Sequence, residues 1–175
     1  GDKTYTTAQY CSRIAGLIAG TPMTISCTYA PLSEVTSVEN LSKDEIDEAI
    51  DAGKFVIFYD GEKVKVGRGV NSLQTTTQDK GEAFKKIKIV EAIDMIRADI
   101  KATAEDSYIG KYANSYDNKC LLMSAIKGYF AGLENAGILE SGSSTVDIDV
   151  EAQEAYLQSK GIDTTDMTER EIKEA

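Results

Sequence analysis

Between Thr7 and Gly20 the apolar positions Tyr10, Ile14, Leu17 and Ile18 recur on one stripe, which predicts a helix. Gly20 is placed to cap it in a left-handed conformation, and Pro22 stops its continuation. Gly16 and Gly20 stand four apart, a spacing that permits close backbone approach at some cost to the helix interior. Residues 23–41 carry β-branched side chains at Thr24, Ile25, Thr28, Val35, Thr36 and Val38 and read as extended chain. Ser42-Lys43-Asp44-Glu45 is a capping box. It opens a short acidic helix over Asp44–Ala52, with Ile46 and Ile50 inward and Gly53 as its stop. Asp60-Gly61 between the runs Phe55–Tyr59 and Val64–Val66 predicts a tight primed hairpin, because glycine accepts positive φ. The first run is apolar on both faces and reads as a central strand. The second alternates Lys63, Val64, Lys65, Val66, so one of its faces is wet.

The longest helical pattern covers residues 83–106, where Ile89, Ile93, Ile96 and Ile100 advance by 4, 3 and 4. A second strong pattern covers 117–136, with Leu121, Leu122, Ala125, Ile126, Tyr129, Phe130 and Leu133 as its apolar face and Gly137 as its end. The loop between them holds Tyr108, Tyr112 and Tyr116. After Leu139 the composition shifts. Ser141-Gly142-Ser143-Ser144 reads as a flexible joint, Val146, Ile148 and Val150 as a short strand, 151–160 as a small helix ended by Gly161, and 168–174 as a last acidic turn. The pattern predicts an α/β (α+β) fold: a small mixed sheet with a β-hairpin, packed by two long helices, plus a small C-terminal helical extension. The predicted division is a core over 1–139 and an acidic extension over 140–175. The chain shows no internal repeat.

Composition narrows the possibilities. Of 175 residues, 42% are apolar and 27% charged, near the globular average, which excludes general disorder. No apolar run approaches the roughly 20 residues that span a bilayer. Gly1-Asp2-Lys3 carries neither Met nor a signal pattern and reads as a cut edge, the chain being a fragment of something longer. The net charge is −10, and residues 140–175 alone carry −7. Nucleic-acid binding needs a basic face that releases counterions, and an anionic membrane repels such a chain, so neither partner is expected.

Histidine is absent, which removes the commonest general base and metal ligand and with them the common catalytic triads. Cys11, Cys27 and Cys120 are widely spaced and odd in number, which suits buried thiols in a reducing compartment rather than a disulfide framework. Gly67-Arg68-Gly69-Val70-Asn71 lacks the third glycine and the following helix of a phosphate loop, and reads as a bend ending a strand. Asp147, Asp149 and Glu151 lack the glycine and glutamate of a calcium loop and read as a solvated strand face, with Asp149 capping the next helix. Glu91, Asp94 and Asp99 are interleaved with Arg97 and Lys101, as on a solvated helix. Glu105 and Asp106 lie where the macrodipole disfavours them, so a basic partner is expected there, from this chain or another subunit. The tyrosine loop 108–116 suits packing or a protein interface.

Three stretches carry a family resemblance. They are Arg13–Pro22 with the extended region after it, Val64–Thr77, and Lys86–Ile100 continuing through Tyr108-Ile109-Gly110-Lys111; Val150–Gly161 adds a fourth. Their types and order resemble the C-terminal half of the contractile tail sheath proteins of bacteriophages and phage-like elements of Gram-positive bacteria. The resemblance implies a structural subunit with no catalytic residue, cofactor or metal. Such subunits stack around an inner tail tube and contract to drive it through the host envelope. Their terminal arms add strands to a sheet shared with neighbouring subunits. The chain stops short of the last such strand. The partners implied are other sheath subunits and the inner tail tube protein, and the place is the virion tail, assembled in the bacterial cytoplasm. Because like charges repel in a stack, Lys63, Lys65, Arg68, Lys85, Lys86 and Lys88 are the expected cationic side of inter-subunit contacts, with Tyr108, Tyr112 and Tyr116 as further candidates. The alternatives are a small binding module using the Tyr108–Tyr116 loop, or the sheath of a phage-tail-like bacteriocin or related injection system.

Overall fold

The computed structural model describes residues 3–175; Gly1 and Asp2, which begin the stretch read as a cut edge, lie outside the described residues. The chain divides into two units, one up to Met95 and one from Ile96. Six helices and one two-stranded antiparallel sheet among the described residues make this a mixed α/β fold.

The first unit opens with α1, Thr7–Gly20, started by a capping box in which Thr6 and Gln9 satisfy each other's amides. Gly20 is not the left-handed cap that the sequence suggested. The helix ends because Thr21 turns extended at φ −81 ahead of Pro22, while its amide reaches back to Ile18. The Thr21 hydroxyl donates to the Leu17 carbonyl at 2.7 Å. α2, Lys43–Asp51, has the predicted Ser42/Glu45 capping box, and Gly53 at φ 70 turns the chain after it.

Residues 23–41 do not form a strand. Their amides close local turns instead, Ile25 to Pro22, Ala30 to Cys27 and Val35 to Leu32, each at 3.0 Å. A single bridge, Pro31 opposite Lys65, ties them to the sheet.

That sheet pairs β1, Ile57–Tyr59, with β2, Val64–Val66, in the register Ile57↔Val66, Phe58↔Lys65, Tyr59↔Val64. β2, not β1, is the inner strand. On its far side the Leu32 amide donates to Val64 at 2.9 Å, the Tyr29 amide to Val66 at 3.0 Å, and the Val66 amide to Ala30 at 3.0 Å. β1 is apolar on both faces for another reason: Ile57 packs on the core, whereas Phe58 sits against the Tyr29 ring on the outer face. The turn centres on Gly61-Glu62 rather than Asp60-Gly61. Asp60 and Lys63 still pair, Asp60 N donating to Lys63 O at 3.1 Å, and only Gly61, at φ 102, takes the positive angle.

Leu32, Val64 and Val66 form the buried centre, and the helix residues laid on it are Tyr10, Ile14 and Leu17 of α1. Each such side chain contributes about 1.5–3 kcal/mol on full burial. Tyr10 fastens the helix rim by donating to Glu34 at 2.8 Å, and Arg13 meets the same carboxylate at 2.7 Å. Gly67 and Gly69 are buried because the chain passes too close for a side chain. A Cβ at Gly69 would lie 2.8 Å from Cys27 Sγ.

The predicted long helix at 83–106 is interrupted at its start. Glu82–Lys85 forms a 3-10 turn, Lys86 is extended and bridges to Val70, and α3 runs Ile87–Ser107. In the second unit, α4 runs Tyr116–Asn135 from a Ser115 cap, and Gly137 turns at φ 72. α5, Val150–Ser159, and α6, Glu169–Glu174, pack together around Leu157 and Ile172. The expected strand at 146–150 is absent, because Asp149 caps α5 at 2.9 Å from the Ala152 amide and helix begins at Val150. The serine-rich joint is held rather than free: the Glu134 carboxylate accepts from the Gly142 amide at 3.0 Å and the Ser144 amide at 3.3 Å.

Candidate functional site

The fold sorts the six cations into two groups. Lys63 and Lys65 lie at the hairpin. Arg68, Lys85, Lys86 and Lys88 are gathered by a second antiparallel contact, in which Val70 opposes Lys86, the Asn71 amide meets Lys85 O at 2.9 Å and the Ile87 amide meets Gly69 O at 2.9 Å. That contact exists because Lys86 is extended, so a break in the helix is what assembles the cationic edge.

Three of the six are engaged within the chain. Lys65 Nζ is 2.7 Å from Asp60 and stands 4.8 Å from the Tyr29 ring centre and 5.5 Å from that of Phe58. Lys85 pairs with Glu82 at 2.9 Å, and Lys88 Nζ donates to the Thr24 carbonyl at 2.8 Å. Lys63, Arg68 and Lys86 are exposed, with no side-chain partner among the described residues. These three are the cations of the set left for an outside contact.

The tyrosines separate as well. Tyr108 and Tyr112 stack at a ring distance of 5.7 Å in a loop whose tip, Ile109, is 69% exposed. Tyr116 belongs to α4, and the nearby Cys120 thiol, ahead of Glu174 of α6, raises its pKa. It is therefore part of the helical packing, apart from the other two. At the end of α3, Lys101 is 3.8 Å from Glu105, while Lys111 Nζ donates to the main-chain carbonyl of Asp106, whose carboxylate has no ion-pair partner among the described residues.

One cluster escaped the sequence reading. Tyr29 is the sole non-glycine residue at positive φ, 59, among those described, and its exposed ring meets Phe58 edge-on at 6.4 Å. No local signal marks it, since Phe58 and Lys65 come to it across strands. Gly16 and Gly20 on α1, and Gly128 and Gly132 on α4, have nothing within 4 Å of where a side chain would begin.

The acid–base groups are tuned for structure. Tyr10 is pushed up to about 12 by burial and then by Glu34, and Tyr129 to about 12 by burial and then by Asp99, to which it donates at 2.6 Å. Both phenols stay protonated at neutral pH. A groove of about 310 Å³ runs beside that bond, lined mainly by Ile100, Leu122, Ala125 and Ile126. Among the described residues no three metal-ligating side chains converge.

Comparison with known proteins places the chain in one family. Residues 79–171 match the family described as phage tail sheath C-terminal domain. The chain is 44% identical over 170 residues to the tail sheath protein of Clostridium phage phiCD119, covering 97% of this chain and 48% of that one. It is 25% identical over 169 residues to phage-like element PBSX protein XkdK of Bacillus subtilis, covering 90% of this chain and 36% of the other. Among solved structures, a sheath tail protein from Desulfitobacterium hafniense aligns with a TM-score of 0.70 at 27% identity, over 77% of this chain and 32% of that one. Another, from Listeria innocua, aligns with a TM-score of 0.64 at 26% identity, over 80% of this chain and 34% of that one. The chain spans about half the length, or less, of the curated relatives it matches.

Proposed function

The chain belongs to the phage tail sheath C-terminal domain family, and on that premise we propose that it is a structural part of a contractile sheath that polymerises around an inner tail tube and shortens to drive it through the host envelope. The observation that carries this reading is the family match across both helices α3 and α4 and the module after them. Other sheath subunits and the tube protein are the partners, the virion tail is the place, and assembly occurs in the bacterial cytoplasm. The part played is mechanical rather than catalytic. Residues 1–139 act as the core and 140–175 as an acidic extension.

Two features favour assembly through this chain. In the observed register Phe58 exchanges bonds with Lys65, so the main-chain groups of Ile57 and Tyr59 face away from β2, without a partner among the described residues. A strand from a neighbouring subunit fits that edge. Lys63, Arg68 and Lys86 then supply free positive charge on a chain of net charge −10, which lowers the repulsion between stacked copies. Lys65, Lys85, Lys88 and the Tyr108, Tyr112, Tyr116 set support the same contacts from occupied positions.

The test joins this chain to the N-terminal half of the Clostridium phage relative and measures pelletable polymer by sedimentation. Polymer from the chimera, lost on Arg68→Glu with Lys86→Glu and regained at higher salt, supports both the sheath role and the ionic contacts. A chimera that never pellets contradicts the role. Polymer indifferent to the two reversals removes the cations from it.

A further inference from the structure

The hairpin turn holds a dipeptide with chemistry of its own. In Asp60-Gly61 the Gly61 amide nitrogen lies one bond past the carboxyl-bearing residue, and no side chain on Gly61 obstructs it. When that nitrogen attacks Asp60 Cγ, a C–N bond forms, the carboxyl oxygen leaves as water with two protons, and a five-membered succinimide closes. Water then opens the ring at the former Asp60 main-chain carbonyl, yielding isoaspartate with one extra methylene in the backbone. No oxidant or co-reactant other than water is needed.

We propose that Asp60-Gly61 is a latent isoaspartate site that the folded hairpin keeps closed, with Lys65 as its guard. The carboxylate and the backbone on either side of the attacking amide are held. Asp60 Oδ2 accepts from Lys65 Nζ at 2.7 Å, while Oδ1 accepts from the amides of Glu62 and Lys63, each at 2.9 Å. On the nucleophile's side, the Gly61 carbonyl accepts from the Tyr59 hydroxyl at 2.7 Å, and the Asp60–Lys63 backbone pair closes the turn at 3.1 Å. Lys65 is itself positioned, its ammonium lying over the rings of Tyr29 and Phe58. The exposed aromatic cluster thereby acquires a role: it aims the guard.

Ionisation works in the same direction. Lys65 first, then the Lys63 and Glu62 amides, hold the Asp60 carboxyl well below its usual range. Loss of water needs the protonated carboxyl, and each unit by which the carboxyl is held down lowers that fraction about tenfold at neutral pH. An extra methylene at residue 60 would also displace β2 from β1 and with it the buried Val64 and Val66, so the guard protects the core of the first unit.

The experiment incubates the 175-residue chain at pH 7 and 37 °C and quantifies isoaspartate at residue 60 by peptide mapping with fragment-ion analysis. The native chain is expected to convert roughly tenfold or more slowly than the same chain in urea, given that protonation penalty. Lys65→Met, folded by circular dichroism, is expected to move several-fold toward the urea rate, and Lys65→Arg to stay near the native rate. Equal rates in native and urea-unfolded chain, or a folded K65M that converts at the native rate, would overturn the proposal. Should K65M not fold, Lys65→Gln, which keeps most of the stem and removes the charge, reads the same pair. Faster conversion there supports the guard, and an unchanged rate refutes it.

Discussion

Gly69→Ala tests the packing of the first unit at one methyl group. The added Cβ would lie 2.8 Å from Cys27 Sγ, 3.2 Å from Ser26 Oγ and 3.6 Å from Thr28 Oγ1. Retreat is blocked on both sides of the backbone: the Gly69 amide is held by Thr28 Oγ1 at 3.0 Å, and its carbonyl by the Ile87 amide at 2.9 Å. Cys27 is 5% exposed, so its sulfur has little room to swing. Overpacking of this kind costs about 1–3 kcal/mol. Loss of glycine's freedom in the unfolded chain returns about 0.4–1 kcal/mol. The expected net loss is therefore on the order of 1 kcal/mol, read as a lower urea midpoint by circular dichroism. Cys27→Ala in the same chain removes the clash, so the double variant should be more stable than the sum of the singles by on the order of 1 kcal/mol. Gly16→Ala is the control of opposite sign. It meets nothing within 4 Å and should stabilise α1 by roughly 0.5–1 kcal/mol. A G69A chain as stable as the unsubstituted one, with no coupling to Cys27, would refute the close approach.

Further expectations concern the second unit and the titrating groups. Glu134→Ala should free the joint, seen as faster hydrogen exchange at the Gly142 and Ser144 amides with α4 otherwise unchanged. Asp147 is held below its usual range, chiefly by Lys173, which it meets at 2.7 Å. Its contribution is thus present above the unfolded carboxylate value and lost as pH falls through the lower folded value. Acid titration followed by NMR should show α6 loosening below about pH 4, and Lys173→Met should abolish that step. Absorbance near 295 nm should show Tyr10 and Tyr129 ionising near 12. Because their folded values are raised, their contribution is complete below the ordinary phenol range and disappears as pH climbs through 12, and Tyr129→Phe should remove one late phenol.

Much of the fold was legible because its signals are local. The Ser42/Glu45 capping box, the Asp149 cap, and the positive-φ glycines at Gly53, Gly137 and Gly161 need only neighbours in sequence. The errors arose where a distant partner decides. Thr24, Ile25 and Thr28 suggested extended chain, yet between Pro22 and Pro31 the amides of Ile25 and Ala30 close local turns. Helix periodicity ran unbroken through Lys86, but its bridge to Val70 made that residue extended. The candidate cations were visible as a charge pattern. Which of them are free depended on Asp60, Glu82 and the Thr24 carbonyl, and the last is 64 positions from Lys88. The Tyr29–Phe58–Lys65 cluster left no trace in the sequence, because only the strand register brings its members together.

The central claim, that this chain serves in a contractile sheath, is tested most directly by negative-stain electron microscopy of the chimera described above, with the 175-residue chain by itself as the control. The account predicts hollow tubes from the chimera, with a lumen wide enough for an inner tube. Monodisperse particles at high concentration across the salt range, from a chimera shown to be folded, would contradict it.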